Sequence, residues 1–136
     1  MLLGIKAISN IKDLGGQVEL TNFKTSIING VEKNYNFGLH SLTGADLLAP
    51  PNTDLICFVS DADNFNIIQN PKLRTTISSL SKLEDYNLYI DINGDLKGFT
   101  IEHMKAKNNI QCKQGSVENI KLAFENKGLY SEIEIK

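Results

Sequence analysis

The chain is poor in the residues that mark most catalytic, metal and nucleic-acid sites. Arg74 is the only arginine among 14 basic residues, tryptophan is absent, and His40 and His103 are the only imidazoles. A dedicated reader of nucleic acid or phosphate normally deploys several bidentate arginines. One arginine, with a net charge of −2 and no basic run, argues against that class. The two histidines stand in neither an H-x-x-x-H nor an H-E-x-x-H spacing, so zinc hydrolysis has no support. No G-x-S-x-G, Walker or Rossmann glycine pattern occurs. The two cysteines, Cys57 and Cys112, are too few for a disulfide framework. Cys57, inside LICFV, reads as a small buried hydrophobe, and Cys112, among polar neighbours, as a surface thiol. A bridge between them stays open on sequence alone. No apolar run is long enough for a membrane span, and the N-terminal MLLGIKAISNIK is too interrupted for a signal peptide. The expected setting is therefore the cytoplasm, or a particle assembled there. Abundant Asn, Lys and Ile suggest an AT-rich genome, as in many bacteria and their phages.

What is present is an ordinary globular composition. The 136 residues, 41% hydrophobic and 22% charged, fit one domain of residues 1–136. A chain of this length buries roughly two-thirds of its unfolded surface, enough for a core without metal or disulfide staples.

The most legible stretch is YNLYIDINGDLKGFTIEH, residues 86–103. Asn93-Gly94 is a strong signal for a two-residue hairpin turn, because both positions must take φ > 0. Counting outward from the turn sets Leu88 opposite Phe99, with Ile90 and Ile92 on the same face. It also sets Gly98 opposite Tyr89, where an aromatic ring can cover the bare backbone.

A second hairpin is expected over residues 17–40 about Asn29-Gly30, preceded by a strand at residues 2–8 and a turn at Asp13 to Gly16. Its pairing collects Val18, Leu20, Ile28, Val31, Tyr35, Phe37 and Leu39 on one face. Phe23 and Ile27 fall on the other, available to a second subunit. Residues 41–48 read as a helical turn stopped by Pro50-Pro51, with Thr43 as its cap. LICFVS, residues 55–60, has the length and composition of a strand buried on both faces. Asn70-Pro71 opens a helix over residues 71–83, with Leu73, Ile77, Leu80 and Leu83 as its apolar stripe. Residues 104–115 read as a polar connector with room for a short strand near Ile110. A second helix is expected over residues 116–127, with Val117, Ile120 and Phe124 as its stripe and Gly128 as its stop. A final strand follows at residues 129–136. The order reads as α+β: a mainly antiparallel sheet built from two Asn-Gly hairpins and flanking strands, with two helices packed on it.

Carboxylates form the one chemical constellation. Asp61 and Asp63 follow the buried strand. If that strand, the 71–83 helix and the strand at 86–92 make a right-handed crossover, both strands end at one sheet edge. Asp61, Asp63, Asp91 and Asp95 would converge there as a Mg²⁺ site for phosphoryl transfer, with Asp61 and Asp63 catalytic. The D-x-D after an apolar strand resembles the metal-binding element of TOPRIM-type nucleotidyl-transfer domains over about ten residues, which implies the same metal chemistry. The plainer reading is a solvated turn, in which Asp61, Asp63 and Asn64 bond to nearby backbone. Asp91, Asn93, Asp95 and Glu102 also echo a calcium loop. That pattern fails at its sixth position, where Leu96 stands in place of glycine.

The expectation is a small non-enzymatic interaction or structural protein without a cofactor. Its partner is another protein or further copies of itself, and neither nucleic acid nor membrane. Phe23, Ile27, Phe65, Tyr89 and Tyr130 are the candidate interface residues, as aromatic or apolar side chains left outside the expected core. The alternatives are the Mg²⁺-dependent phosphoryl-transfer enzyme and a small-nucleotide binder.

Overall fold

A computed structural model describes residues 11–61 and 64–136. Two helices, α1 (Ile11–Asn36) and α2 (Pro71–Leu83), accompany eight strands: β1 (Leu42–Leu48), β2 (Thr53–Val59), β3 (Leu88–Ile92), β4 (Asp95–Phe99), β5 (Met104–Ala106), β6 (Ile110–Gln114), β7 (Asn119–Asn126) and β8 (Ser131–Ile135). They make two four-stranded sheets, ordered β1-β7-β8-β5 and β4-β3-β2-β6. Every pairing is antiparallel except β5 with β8. The fold is α+β, as the sequence leads one to expect.

Two apolar clusters hold it together. The larger joins Phe23, Ile27 and Val31 of α1 to Ile120, Leu122 and Phe124 of β7, Ile133 of β8, and Ile56, Phe58, Leu88 and Ile90 of the second sheet. The smaller lies on the other face of the second sheet, where Leu55, Cys57, Val59 and Tyr89 meet Ile77 of α2. β2 is therefore covered on both sides, which explains its unbroken apolar run. Full burial of each such aliphatic side chain contributes roughly 1.5–3 kcal/mol.

The Asn93-Gly94 hairpin forms in the expected register: Leu88 pairs with Phe99, Tyr89 with Gly98, and Ile92 with Asp95. Both turn residues take the left-handed conformation, with φ of 52° and 86°. The ring lying over Gly98 is that of Tyr86, so close that any Cβ there would collide with it. Helix α2 likewise begins at Pro71, and the Asn70 side chain accepts hydrogen bonds from the backbone N–H groups of Lys72 and Leu73. Its Ile77 is buried, while Leu83, placed on the same stripe, is exposed.

Four expectations are corrected. Residues 17–40 do not form a hairpin, because α1 runs unbroken through Asn29-Gly30 and through the turn expected at Asp13 to Gly16. The buried residues Phe23, Ile27, Val31 and Asn34 recur every three to four positions, the spacing of one helical face. Gly30 is helical because it must be small: a Cβ there would lie 2.9 Å from the Phe124 ring. The helix expected over residues 116–127 is instead strand β7. Its Ile120, Leu122 and Phe124 alternate inward, and a helical stripe of Val117, Ile120 and Phe124 would have stranded Leu122. In place of the helical turn expected over residues 41–48, Leu42–Leu48 form β1, paired with β7 along its whole length. The connector at 104–115 carries strands β5 and β6. The strand expected at residues 2–8 lies outside the described residues.

A buried polar network fastens α1 to the first sheet. Asn34 donates to the carbonyls of Ser41 and Phe124, Asn126 donates to those of Asn34 and Tyr35, and the Ser131 hydroxyl donates to Asn34 Oδ1 at 2.7 Å. The last carbonyls of the helix thus find partners inside the protein, where leaving them bare would cost stability.

Candidate functional site

β2 and β3 are antiparallel neighbours, so their C-terminal ends lie at opposite ends of the sheet. Asp61 follows the C-terminal end of β2, beyond the bond from Val59 N–H to the Asn87 carbonyl. Asp91 pairs with Leu55 near the start of β2, and Asp95 opens β4 at that same end. Asp61 is thereby held apart from Asp91 and Asp95, against their expected convergence on a magnesium ion. That convergence required parallel strands, and a helical crossover between adjacent strands does not oblige them to be parallel. Asp63 lies outside the described residues. Among the described residues no group of three or more acidic, histidine or cysteine side chains is placed to hold a metal.

Asp61 is exposed and takes φ of 50°, the left-handed backbone common in turns. It borders an open cleft of about 380 Å³ lined also by Ser60, Lys82, Glu84, Tyr86 and Lys105. The cleft is shallow and mixed in charge, and no hydrogen bond within it prepares a nucleophile or base.

Two polar groups on the α2 side of the second sheet do have unusual surroundings. Tyr89 is fully buried, and its hydroxyl has no hydrogen-bond partner. Burial, and then the nearby Tyr86 and Glu84, push its pKa up to about 12. Asp91 is buried with Oδ1 unpartnered, and burial first, then the charges of Asp54 and Asp95, hold its carboxyl above the ordinary value. Neither opens onto the cleft.

In the same layer, beside Tyr89 across β2, lies the Cys57–Cys112 disulfide. The two cysteines face each other directly across β2 and β6. The flanking bonds, Ser60 N–H to Asn109 and Gly115 N–H to Asp54, make theirs a non-hydrogen-bonded pair, where opposed side chains stand closest. Cys112 is thus no free surface thiol, and Cys57 no free buried one.

The expected interface residues are placed differently. Phe23, Ile27, Phe65 and Tyr89 are buried in this chain's own core, at 6% exposure or less. Phe23 and Ile27 pointed outward only in the hairpin reading, and in a helix they share the core face. Tyr89 is covered by α2, and Phe65 packs in the same cluster. Tyr130 alone remains partly exposed, with the Lys105 ammonium 5.0 Å above its ring.

The exposed apolar residues lie elsewhere, mostly at one end of the first sheet. Phe37, Leu39, Leu42 and Leu129 are 59–85% exposed. The segment after α1 runs beside the β7–β8 turn, with His40 N–H bonded to the Asn126 carbonyl and Leu39 against Gly128. Leu42 then begins β1, whose outer face carries Leu42, Gly44, Asp46 and Leu48, all exposed. The alternation in LTGADLL was the available signal, hidden by reading Thr43 as a helix cap.

Compared with protein-family models, curated proteins and solved structures, the chain matches none.

Proposed function

We propose that this chain is a non-enzymatic interaction or structural protein that acts by associating with further copies of itself. The observation carrying this reading is the group Phe37, Leu39, Leu42 and Leu129, large apolar side chains exposed where the turn after α1, the start of β1 and the β7–β8 turn meet at one end of the first sheet. Large apolar side chains exposed in one region mark contact sites more often than they occur idly. The antiparallel arrangement of β2 and β3 separates Asp61 from Asp91 and Asp95, which favours this reading over the phosphoryl-transfer alternative.

Light scattering after size exclusion, over about a hundredfold range of concentration, tests the reading. The expected result is a mass of two or more chains that falls on dilution, with Leu39→Asp and Leu129→Asp weakening the association. A strict monomer throughout, with no binding partner, overturns it.

The Cys57–Cys112 bridge supports an oxidising setting over the cytoplasm, because cytosolic thiols are normally kept reduced. Alkylation and mass measurement of protein taken directly from its cell would find both thiols blocked. Free thiols would return the protein to a reducing compartment.

A further inference from the structure

We infer that the partner is a second copy docked edge to edge along β1 in one antiparallel register, with Ala45 on the two-fold axis. The inference rests on the self-association reading and names its surface. Among the described residues four strands lie at sheet edges: β1, β5, β4 and β6. Natural edges are protected by being short, by charge, by bulges or by a covering segment. β5 has three residues and carries Lys105. β4 presents Asp95 and Lys97, paired at 3.0 Å. On β6, Gln114 holds the backbone of Ile67 and Gln69 against it, and Lys113 bonds to Asn119. Among the described residues the single charge of Asp46 is the only such defence on β1. The strand spans seven residues in unbroken register with β7 and contains no lysine, proline or bulge.

The backbone says which groups are free. Asn126 N–H bonds to the Ser41 carbonyl, and Ala49 N–H to that of Glu118. By alternation, the odd-numbered residues of β1 turn their N–H and C=O toward β7. Those of Leu42, Gly44, Asp46 and Leu48 turn to the open edge. The exposed side chains therefore belong to the residues that own the free hydrogen-bonding groups.

Antiparallel pairing of this edge with itself must match even-numbered residues, and charge selects among the registers that do. With Ala45 on the axis, Leu42 faces the second copy's Leu48, and Gly44 faces the second copy's Asp46. Each apolar side chain gains an apolar neighbour, and the one charge of the strand faces hydrogen, beside Lys121 of its own sheet. A shift toward the C-terminus sets Asp46 against Asp46, and a shift the other way leaves Leu48 unpaired. The chosen register makes about eight backbone hydrogen bonds, two for each hydrogen-bonded pair. It joins the two four-stranded sheets into one.

Two substitutions and one measurement test it. Asp46→Pro removes only an N–H that points to the open edge, a change edge strands tolerate, so the fold stays and the dimer weakens at least about tenfold. Gly44→Lys, with only the Leu122 carbonyl oxygen near its Cβ at 3.4 Å, sets an ammonium opposite the second copy's Asp46. It tightens the dimer several-fold at low salt and loses the gain at high salt. In the wild type, the amide hydrogens of Leu42, Gly44, Asp46 and Leu48 exchange more slowly as concentration rises. An oligomer indifferent to both substitutions overturns the β1 edge while leaving self-association standing. Protection independent of concentration means the edge is covered within one chain, and overturns it too. A monomer at every concentration overturns both.

Discussion

Asn29-Gly30 and Asn93-Gly94 are the same dipeptide, each set among apolar and β-branched neighbours, and the protein puts them to opposite uses. At Asn93-Gly94 both residues take positive φ and the chain reverses. A Cβ on Gly94 would touch nothing within 4 Å, so its glycine serves conformation alone. At Asn29-Gly30 the backbone is helical, and glycine serves proximity: it lets α1 settle on the Phe124 ring of β7. A turn dipeptide is decisive only where the residues around it have no better burial available. Around Asn93, Leu88, Ile90, Ile92 and Phe99 share one face with period two, and the hairpin buries the first two fully and the others in part. Around Asn29, Phe23, Ile27 and Val31 fit both periods loosely. The helix wins because it presents all three, with Asn34, to one sheet.

The largest test of this contrast is Gly30→Val. Its side chain would enter the space of the Phe124 ring, and overpacking of this kind costs about 1–3 kcal/mol in urea unfolding. Phe124→Ala in the same chain should offset part of that loss, giving a non-additive pair. Full additivity would mean that the two do not meet. Gly94→Ala should cost about 1–2 kcal/mol, the penalty of a Cβ in left-handed backbone, and no second substitution should rescue it.

Asp91, two residues before the Asn93 turn, gives a pH-dependent test. Its carboxyl titrates above the ordinary value when folded, so the folded chain holds that proton more tightly than the unfolded one. The contribution favours folding below the ordinary carboxylate value and is lost as pH rises through the raised one. Asp91→Asn should therefore raise Tm by about 2–4 °C at neutral pH, with the gain fading below about pH 4. A gain that persists undiminished in acid would assign the effect to something other than charge.

The smallest effect is the sharpest in sign. Asn29→Ala, exposed in the middle of α1, should stabilise by a few tenths of a kcal/mol, about the difference in helix propensity. Asn93→Ala should destabilise by about 1 kcal/mol, because alanine resists the φ that Asn93 adopts. Equal signs would show that the two sites are not used differently.

Where local chemistry and burial agree, the structure was legible beforehand. The β3–β4 register, the Asn70 cap with Pro71, and the doubly buried β2 all belong to this class. β7 was not legible, because Ile120 and Phe124 satisfy a helical spacing and a strand spacing alike. Only the neighbours β1 and β8 choose between them. The carboxylate hypothesis failed one level higher. The strands carrying Asp61 and Asp91 were both anticipated, but their relative direction was not, and direction alone decides whether the acids meet. The Cys57–Cys112 bridge was hidden for a similar reason, since it depends on β6 lying beside β2.

The sequence by itself determined the turn at Asn93-Gly94, the boundaries of α2, the burial of β2 and the α+β class. Each follows from steric limits or periodicities that act within a few residues. Only the tertiary structure decided that residues 11–36 coil, that residues 119–126 extend, and that β1 stands at an open edge. Those outcomes depend on which distant surface is available to cover an apolar face, and free energy of burial is a property of the whole chain.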